Sequence, residues 1–330
     1  MRDPAFRPRD LLMGSFLQHF ADGFAASGGF EQLFQQLTGG LAVGGIYALV
    51  ALGYTMVYGV LKLINFAHGD LFTIGAYLGL TLLGSLALGE HLGAFAGIAV
   101  LALMVMVLVG LIGIILERSA YRPLRTSPRL SAVVSALGAS IFFQNAVMLI
   151  YGPGKFVFPQ GLLPAAPVQL FGFSVPLMRI LILAASLLMM VALYLFVQKT
   201  CIGTAIRAAA IDQDAARLMG IDVNFVIMIV FFIGPALGGT AGLMVGLYYG
   251  QIGFTMGWIY GLKAFAAAII GGIGNIPGAM LGGLLLGVIE ALGAAYISFA
   301  WKDAIAFFVL ILILIVRPTG ILGERVAEKI

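Results

Sequence analysis

The chain has 330 residues, of which 62% are hydrophobic and only 10% are charged, and its formal net charge is +4. A soluble domain usually carries about 25% charged residues, so lipid rather than water has to cover this chain. The composition therefore excludes an ordinary soluble protein and predicts an all-α polytopic membrane protein. The basic residues cluster in loops between apolar runs, which is the positive-inside pattern of a membrane protein and does not indicate a nucleic-acid partner.

The first 36 residues form a predicted N-terminal extension that carries Arg2, Arg7 and Arg9. The stretch after these charges has no apolar core with a small-residue cleavage site, so it is not typical of a cleaved signal peptide. An amphipathic helix at the membrane interface and a flexible tail are both open interpretations of residues 1–36.

Apolar runs long enough to cross a membrane core of about 30 Å recur along residues 37–323, the predicted transmembrane domain. The predicted spans are residues 37–60, 66–88, 92–116, 130–151, 180–197, 225–249, 258–276, 279–300 and 304–316. Lys263 lies near one end of its predicted span, and Glu290 lies among enough apolar residues to offset one central charge.

The distribution of Lys and Arg predicts which loops are cytoplasmic. Three segments are basic: the loop after the third span, the loop after the fifth, and the C-terminal segment with its tail, residues 324–330. Because even numbers of spans separate them, all three are predicted to be cytoplasmic, and the 151–175 loop is predicted to lie outside. The N-terminus conflicts with this scheme, since three spans place it outside whereas its arginines favour the inside. One re-entrant early segment would give eight spans instead of nine.

Residues 199–223 (KTCIGTAIRAAAIDQDAARLMGIDV) are too charged to span a membrane. Their alanines favour a helix, and the polar side chains predict an amphipathic helix that either rests on the bilayer or inserts into a groove of a partner. The order from Asp214 to Gly220 is similar to the Glu-Ala-Ala-x-x-x-Gly pattern of ATP-binding-cassette importers, with Asp in place of Glu. The predicted ATPase-coupling residues are Asp212, Asp214, Ala215, Ala216, Arg217 and Gly220.

A second polar group lies at membrane depth. Asn65, His68 and Asp70 follow the first span, and Tyr47 and Tyr54 lie seven residues apart on one face of that span. Ionisable residues inside a membrane often mark a substrate path, so these five residues are candidate path residues. The alternative is that Asn65, His68 and Asp70 only cap the second helix at the interface.

Metal binding and covalent catalysis are not expected from this chain. Its single cysteine, Cys201, excludes an intrachain disulfide and a cysteine-based metal cluster. None of the three histidines lies near that cysteine at a metal-ligand spacing, and the sequence shows no triad or metal-ligand constellation.

Two runs carry a family resemblance. Residues 45–70 (GIYALVALGYTMVYGVLKLINFAHGD) and 262–290 (LKAFAAAIIGGIGNIPGAMLGGLLLGVIE) resemble the LivH-type branched-chain amino acid permeases, and the similarity covers about residues 37–323. A GIYAL and a WIYGL sequence begin the spans that contain these two runs. They suggest an internal repeat, and chance similarity between two glycine-rich helices is the alternative.

The resemblance implies the permease fold of an ATP-driven importer in the bacterial inner membrane. It implies that this subunit forms half of the translocation path beside a second, LivM-like permease, two ATPase subunits and an extracytoplasmic substrate-binding protein. Family substrates are leucine, isoleucine and valine, and relatives carry urea or short amides.

The chain has no phosphate-binding loop of its own. Residues 152–155 (GPGK) lack the required spacing and the Ser or Thr. No cofactor is therefore expected in this chain, and ATP would be hydrolysed by the partner subunits. The same absence also fits a stand-alone channel or secondary transporter for a small neutral solute such as urea or an amide.

Overall fold

A computed structural model describes residues 29–86, 93–125, 127–159, 167–170 and 172–323, so the tail 324–330 and residues 1–28 of the predicted extension lie outside the described residues. The described chain is a bundle of α-helices. These are α1 (Phe30–Leu61), α2 (His68–Leu86), α3 (Ala94–Leu116), α4 (Arg129–Tyr151), α5 (Leu177–Lys199), α6 (Cys201–Ile211), α7 (Gln213–Leu218), α8 (Val223–Tyr249), α9 (Met256–Gly271), α10 (Ile276–Tyr296) and α11 (Lys302–Val316). A π-helical turn at Glu117–Tyr121 and a 3₁₀ turn at Arg122–Leu124 extend α3, and a 3₁₀ turn at Phe299–Trp301 precedes α11.

Four short strands form two antiparallel pairs. Strand β1 (Phe156–Val157) pairs with β4 (Gln251–Ile252), and β2 (Pro167–Leu170) pairs with β3 (Phe173–Pro176). β1, β2 and most of β3 belong to the loop between α4 and α5 that the charge pattern predicts to lie outside.

A helix occupies each of the nine predicted spans, which confirms an all-α polytopic membrane protein. The first helix starts at Phe30, within the predicted extension. Among the described residues, seven helices are long and apolar enough to cross a membrane, and α2 and α9 are not among them. The 16 residues of α9 rise only about 24 Å, less than the thickness of a hydrocarbon core. The number of spans, eight or nine, therefore stays a prediction.

The inner helices pack through glycine. A Cβ on Gly283 of α10 would overlap the backbone of Ala48 in α1, and one on Gly287 would overlap the backbone of Gly44. Gly75 of α2 approaches Gly239 of α8 in the same way. Small residues allow membrane helices to approach this closely, so α1, α2, α8, α9 and α10 form the core.

The chain reverses sharply after α1. Lys62 adopts a left-handed conformation with φ 53° and ends the helix. The chain then folds back so that α2 begins at His68, whose Nε2 lies 3.1 Å from the carbonyl oxygen of Val50. Because Val50 precedes the end of α1 by about three helical turns, or about 16 Å, α2 begins well inside the bundle.

A second reversal separates α9 from α10. Here the side chain of Asn275 accepts a hydrogen bond of 2.9 Å from the backbone nitrogen of Gly278 and caps α10. In both regions that suggested an internal repeat, a helix thus runs to a reversal and a second helix returns. α1 and α10 are antiparallel, since Gly40, near the start of α1, meets Val288, near the end of α10. Both reversals therefore lie at the same end of the bundle.

That end also holds the basic segments, and we call it the basic end. Arg125 Nη1 donates to Asn224 Oδ1 over 2.7 Å, and Gln213 Nε2 donates to the carbonyl oxygen of Val60 over 2.7 Å. The segment after α11 joins them, because the Leu322 nitrogen donates to the carbonyl oxygen of Gly271. All three basic segments of the sequence thus lie together as far as the structure describes them.

The start of α1 lies at the opposite end. Its Phe34 ring contacts Phe173 of β3 with ring centroids 4.8 Å apart, and Arg179 of α5 donates to the carbonyl oxygen of Gln35 over 2.9 Å. Both strand pairs belong to this end. The arginines that favoured the other side for the N-terminus, at positions 2, 7 and 9, lie outside the described residues.

Candidate functional site

Two charged residues from neighbouring helices form a buried ion pair in the core. Lys263 of α9 donates to Glu290 Oε1 over 2.7 Å, and the Tyr47 hydroxyl of α1 donates to Glu290 Oε2 over 2.8 Å. Lys263 also lies 2.6 Å from Asp303 Oδ1 at the start of α11. Four helices therefore meet at one cluster, which we call the Lys263 cluster (Tyr47, Lys263, Glu290 and Asp303).

The position of Lys263 differs from the sequence prediction. It lies in the middle of α9, not near the end of a span, and only 4% of the residue is exposed. The prediction was wrong because α9 ends at Gly271, ahead of the predicted boundary at residue 276. A charge at this depth is tolerated because two carboxylates neutralise it.

A cavity of about 330 Å³ adjoins the cluster, and we call it the Glu290 cavity. Its walls come from the starts of α1 and α5, the ends of α8 and α10, and the turn before α11, so it belongs to the end opposite the basic segments. The lining residues are Gln36, Gly39, Val43, Arg179, Tyr248, Tyr249, Gly287, Glu290, Ala291, Ala294, Ala295, Phe299 and Lys302.

Asn65, His68 and Asp70 are all buried where α2 begins. The Tyr121 hydroxyl donates to Asn65 Oδ1 over 2.7 Å, and the Ser140 hydroxyl of α4 donates to Asp70 Oδ2. These bonds attach the start of α2 to the turn after α3 and to α4. Asn65 lies ahead of the helix, which begins at His68, and its side-chain oxygen is used by the tyrosine.

The space around this polar group is almost closed. The cavity beside Tyr54 and Asp70 measures only about 10 Å³. Within the described chain, His68 Nδ1 and Asn65 Nδ2 are buried without a hydrogen-bond partner. The assignment of these residues to a substrate path stays a prediction.

The two tyrosines of α1 serve different clusters. Tyr47 bonds Glu290, whereas the Tyr54 ring meets the His68 ring edge-on with centroids 4.7 Å apart. Both rings also face α9, where they contact Tyr260 and Phe265 respectively. The structure therefore divides the five candidate path residues between two places along one helix face.

The 199–223 segment is two helices, α6 and α7, and not one. The chain breaks at Asp212, whose side chain accepts hydrogen bonds from the backbone nitrogens of Asp214 and Ala215 over 2.9 and 3.0 Å. Aspartate is a favoured N-cap residue, so Asp212 starts a new helix where the alanine-rich pattern predicted a continuous one.

The end of the short helix α7 is exposed on the surface of the chain. Leu218 and Met219 are 89% and 82% exposed, while Ala216 is buried against the bundle. Asp214 and Arg217 form an exposed ion pair of 2.8 Å. Gly220 follows with φ 81°, a conformation that favours glycine. The predicted coupling residues thus share one small projection at the basic end.

Comparison with known proteins agrees with this architecture. The model of a family described as the permease component of branched-chain amino acid transport systems matches residues 36–314. The high-affinity branched-chain amino acid transport system permease protein BraD of Pseudomonas aeruginosa is 44% identical over 313 residues, which are 90% of this chain and 97% of that protein. LivH of Escherichia coli strain K12, a protein of the same description, is 42% identical over 304 residues, 91% of this chain and 99% of that protein.

The chain belongs to this permease family.

The sequence of this permease did not lead to a prediction of the Lys263 cluster. Lys263 and Glu290 were recognised only as charges that their spans could tolerate. Opposite charges inside consecutive spans are expected to pair in a membrane, and that signal was available in the sequence. The contributions of Tyr47 and Asp303 were not, because they depend on how α1 and α11 pack against α9.

Proposed function

We propose that this chain is the membrane-spanning permease subunit of an ATP-driven importer for branched-chain amino acids. It forms half of the translocation path beside a second, LivM-like permease, and two ATPase subunits and an extracytoplasmic substrate-binding protein complete the importer. The chain itself holds no cofactor, and ATP is hydrolysed by the partners. The substrate class is supported by the names of BraD and LivH, to which this chain is 42–44% identical over about 90% of its length.

The exposed end of α7 carries the coupling part of this proposal. A protein in water or at a membrane surface gains by covering adjacent large apolar side chains, and Leu218 and Met219 lie side by side at the basic end. Nothing in the described chain covers them. They fit a groove on an ATPase subunit, in which anchors from a short helix insert between apolar walls.

The mechanism follows from how this projection is attached. Gln213 of α7 bonds the carbonyl of Val60 at the end of α1, and α1 packs along α10 through glycine. A displacement of α7 by closing ATPases would therefore pull on α1 and the helices packed against it. In this proposal the shift switches the path between the two sides of the membrane.

The orientation of the subunit is part of the same proposal. The basic end is cytoplasmic, which places the C-terminus in the cytoplasm, and the membrane is the bacterial inner membrane. Clustering of the basic segments at one end supports this orientation through the positive-inside rule. The Glu290 cavity then opens on the side from which a binding protein would deliver its cargo.

The proposal is tested with the four kinds of subunit coexpressed and reconstituted in liposomes. The double variant Leu218→Ser/Met219→Ser should lose ATP-dependent leucine uptake by about tenfold or more, because hot-spot apolar anchors commonly contribute 1–2 kcal/mol or more to an interface. ATPase subunits should also fail to co-purify with it. The matched control is Val157→Ser, which changes an exposed apolar residue at the opposite end.

The two main outcomes separate the candidate functions. Retention of full ATP-dependent uptake by the double variant would contradict the role of α7. If the unmodified chain alone moves leucine or urea down a gradient, with no ATPase present, the chain is a channel or secondary transporter and the importer proposal fails.

A further inference from the structure

Among the described residues, the side chains in and beside the Glu290 cavity carry an excess of positive charge. Three basic side chains, Arg179, Lys263 and Lys302, lie in or beside it, against the two carboxylates of Glu290 and Asp303. Lys263 is matched by both carboxylates, and Lys302 lies 3.9 Å from Glu290 Oε1. The positive charge that no carboxylate neutralises therefore belongs to the third basic side chain.

Arg179 is that side chain. Its Nη1 donates to the backbone carbonyl of Gln35, and within the described chain no carboxylate pairs with it. The guanidinium lies against Gly39, where a Cβ would be 3.5 Å from its Cζ. A guanidinium has five N–H donors that suit a carboxylate, so Arg179 has unused capacity for an anionic group.

Much of the remaining wall is apolar, with Gln36, Tyr248 and Tyr249 as its polar members, and the volume is small. Val43, Ala291, Ala294 and Phe299 line the cavity beside the charges. Pockets for small molecules usually measure about 300–1,000 Å³, so about 330 Å³ suits a single small ligand. A fully charged ligand without an apolar part would leave this wall uncovered.

We propose that the Glu290 cavity is a binding site for the zwitterion of an aliphatic α-amino acid, within the permease itself. The ligand carboxylate lies between Arg179 and Lys302, its ammonium group contacts Glu290, and its side chain packs against Val43 and Ala294. This site deepens the proposed import function and rests on it. It is distinct from the candidate path residues Asn65, His68 and Asp70.

Glu290 and Lys302 can each contact a ligand group in addition to, or in place of, their present partners. A carboxylate has about four lone-pair positions, and Glu290 uses two of them for Lys263 and Tyr47. Lys302 is only at the edge of ion-pair distance from Glu290, and 30% of its side chain is exposed. It can therefore turn to a ligand carboxylate without breaking the buried pair of Lys263 and Glu290.

The first test measures leucine uptake by the complete importer. Arg179→Gln and Lys302→Gln should raise the KM for leucine, Arg179→Gln by about tenfold or more, because it removes a charge-assisted hydrogen bond to the ligand carboxylate. Lys155→Gln is the matched control, because Lys155 is an exposed cation at the same end but outside the cavity. Its KM should stay within about twofold of the unmodified importer, a range that corresponds to less than 0.5 kcal/mol.

The second test measures occupancy without ATP or the binding protein, so that a change in docking of the binding protein does not affect it. Cys201 is the chain's single cysteine, and Cys201→Ser combined with Ala294→Cys places one thiol in the cavity. Leucine should slow labelling of this thiol by a membrane-impermeant reagent. Leucinamide, which lacks the carboxylate, and 4-methylpentanoate, which lacks the ammonium group, should protect it much less, and Arg179→Gln should abolish protection by leucine.

The two experiments separate the failure of the site from the failure of the import function. If the complete importer takes up leucine with ATP, but leucine gives no protection and Arg179→Gln leaves KM unchanged, the site is overturned and the import function stands. Equal protection by leucine and both analogues would also overturn zwitterion recognition. If protection is selective for leucine but no ATP-dependent uptake occurs, the site stands and the import function fails.

Discussion

The inner helix α1 and the peripheral segment Phe299–Val316 show that apolar character and burial are separate properties in this protein. In their most apolar windows, 89% of the α1 residues and only 6% of the Phe299–Val316 residues are buried, although the second segment is the more apolar. Lipid tails are as apolar as leucine, so hydrophobicity alone does not draw a helix into the bundle. Glycine, hydroxyl groups and paired charges mark the inner helices instead.

The largest expected effect comes from filling a glycine contact of the inner region. Gly283→Leu should prevent α10 from packing on α1, because even a Cβ there overlaps the backbone of Ala48. Overpacking in a tight core costs about 1–3 kcal/mol or more, and here two backbones have to separate. We expect little monodisperse protein after detergent extraction, as measured by size-exclusion chromatography of a fluorescent fusion.

The control for this variant lies on a peripheral helix. Gly138→Leu on α4 introduces the same side chain where a Cβ would meet no described atom within 4 Å. It should give a normal elution profile. Similar losses from both variants would mean that the separation into inner and peripheral helices is wrong.

A smaller effect is expected from breaking the Lys263 cluster. Lys263→Met removes the nearest cation of the buried Glu290 and leaves only Lys302, 3.9 Å away, to neutralise it, and removing one partner of a buried pair typically costs about 3–5 kcal/mol. The double variant Lys263→Met/Glu290→Leu should recover much of this loss, because the buried carboxylate is removed together with its cation, and Asp303, which also loses Lys263, has a side chain that is 50% exposed. Thermal unfolding of the purified subunit measures the stability of both variants. Lys302→Met removes a more exposed and more distant cation, so it should lower the stability least.

If Lys263→Met alone proved as stable as the unmodified subunit, the ion pair would not hold α9 to α10. Equal losses from the single and the double variant would instead indicate that the methionine, and not the unpaired carboxylate, disturbs the core.

The sequence allowed prediction of the features that depend on local composition. Apolar runs located the helices, and the basic clusters located the segments that meet at one end. The reversal that brings His68 beside Val50 was indicated only by the polar residues that follow the first span, since it depends on Gly53 and Gly238 leaving room for the imidazole. Periodicity carries no information about such a contact.

The candidate site was less predictable for a related physical reason. The Glu290 cavity is formed by residues from the starts and ends of five separate elements, and Arg179 was not singled out. Its side chain reaches the carbonyl oxygen of Gln35 and the cavity only because β3 and the start of α1 pack side by side. The break at Asp212 was also missed, because aspartate is compatible with a helix surface as well as with a cap, and only the chain direction after Ile211 distinguishes them.

The smallest effect on stability is expected at the exposed pair of α7, and it gives the sharpest comparison with the buried regions. Arg217→Gln removes an ion pair whose side chains are 51% and 88% exposed, and such pairs contribute about 0–1 kcal/mol. Arg125→Gln is its matched partner at the same end, because it leaves Glu117, with 3% of its side chain exposed, without its cation. Thermal unfolding should therefore distinguish the two arginines clearly, with Arg125→Gln much the less stable.

ATP-dependent uptake should be reduced by Arg217→Gln even though its stability is nearly unchanged, since Arg217 belongs to the projection proposed to dock an ATPase. A subunit carrying Arg217→Gln that unfolds normally yet transports poorly would assign the α7 charge to partner binding, whereas normal unfolding with normal uptake would restrict docking to Leu218 and Met219.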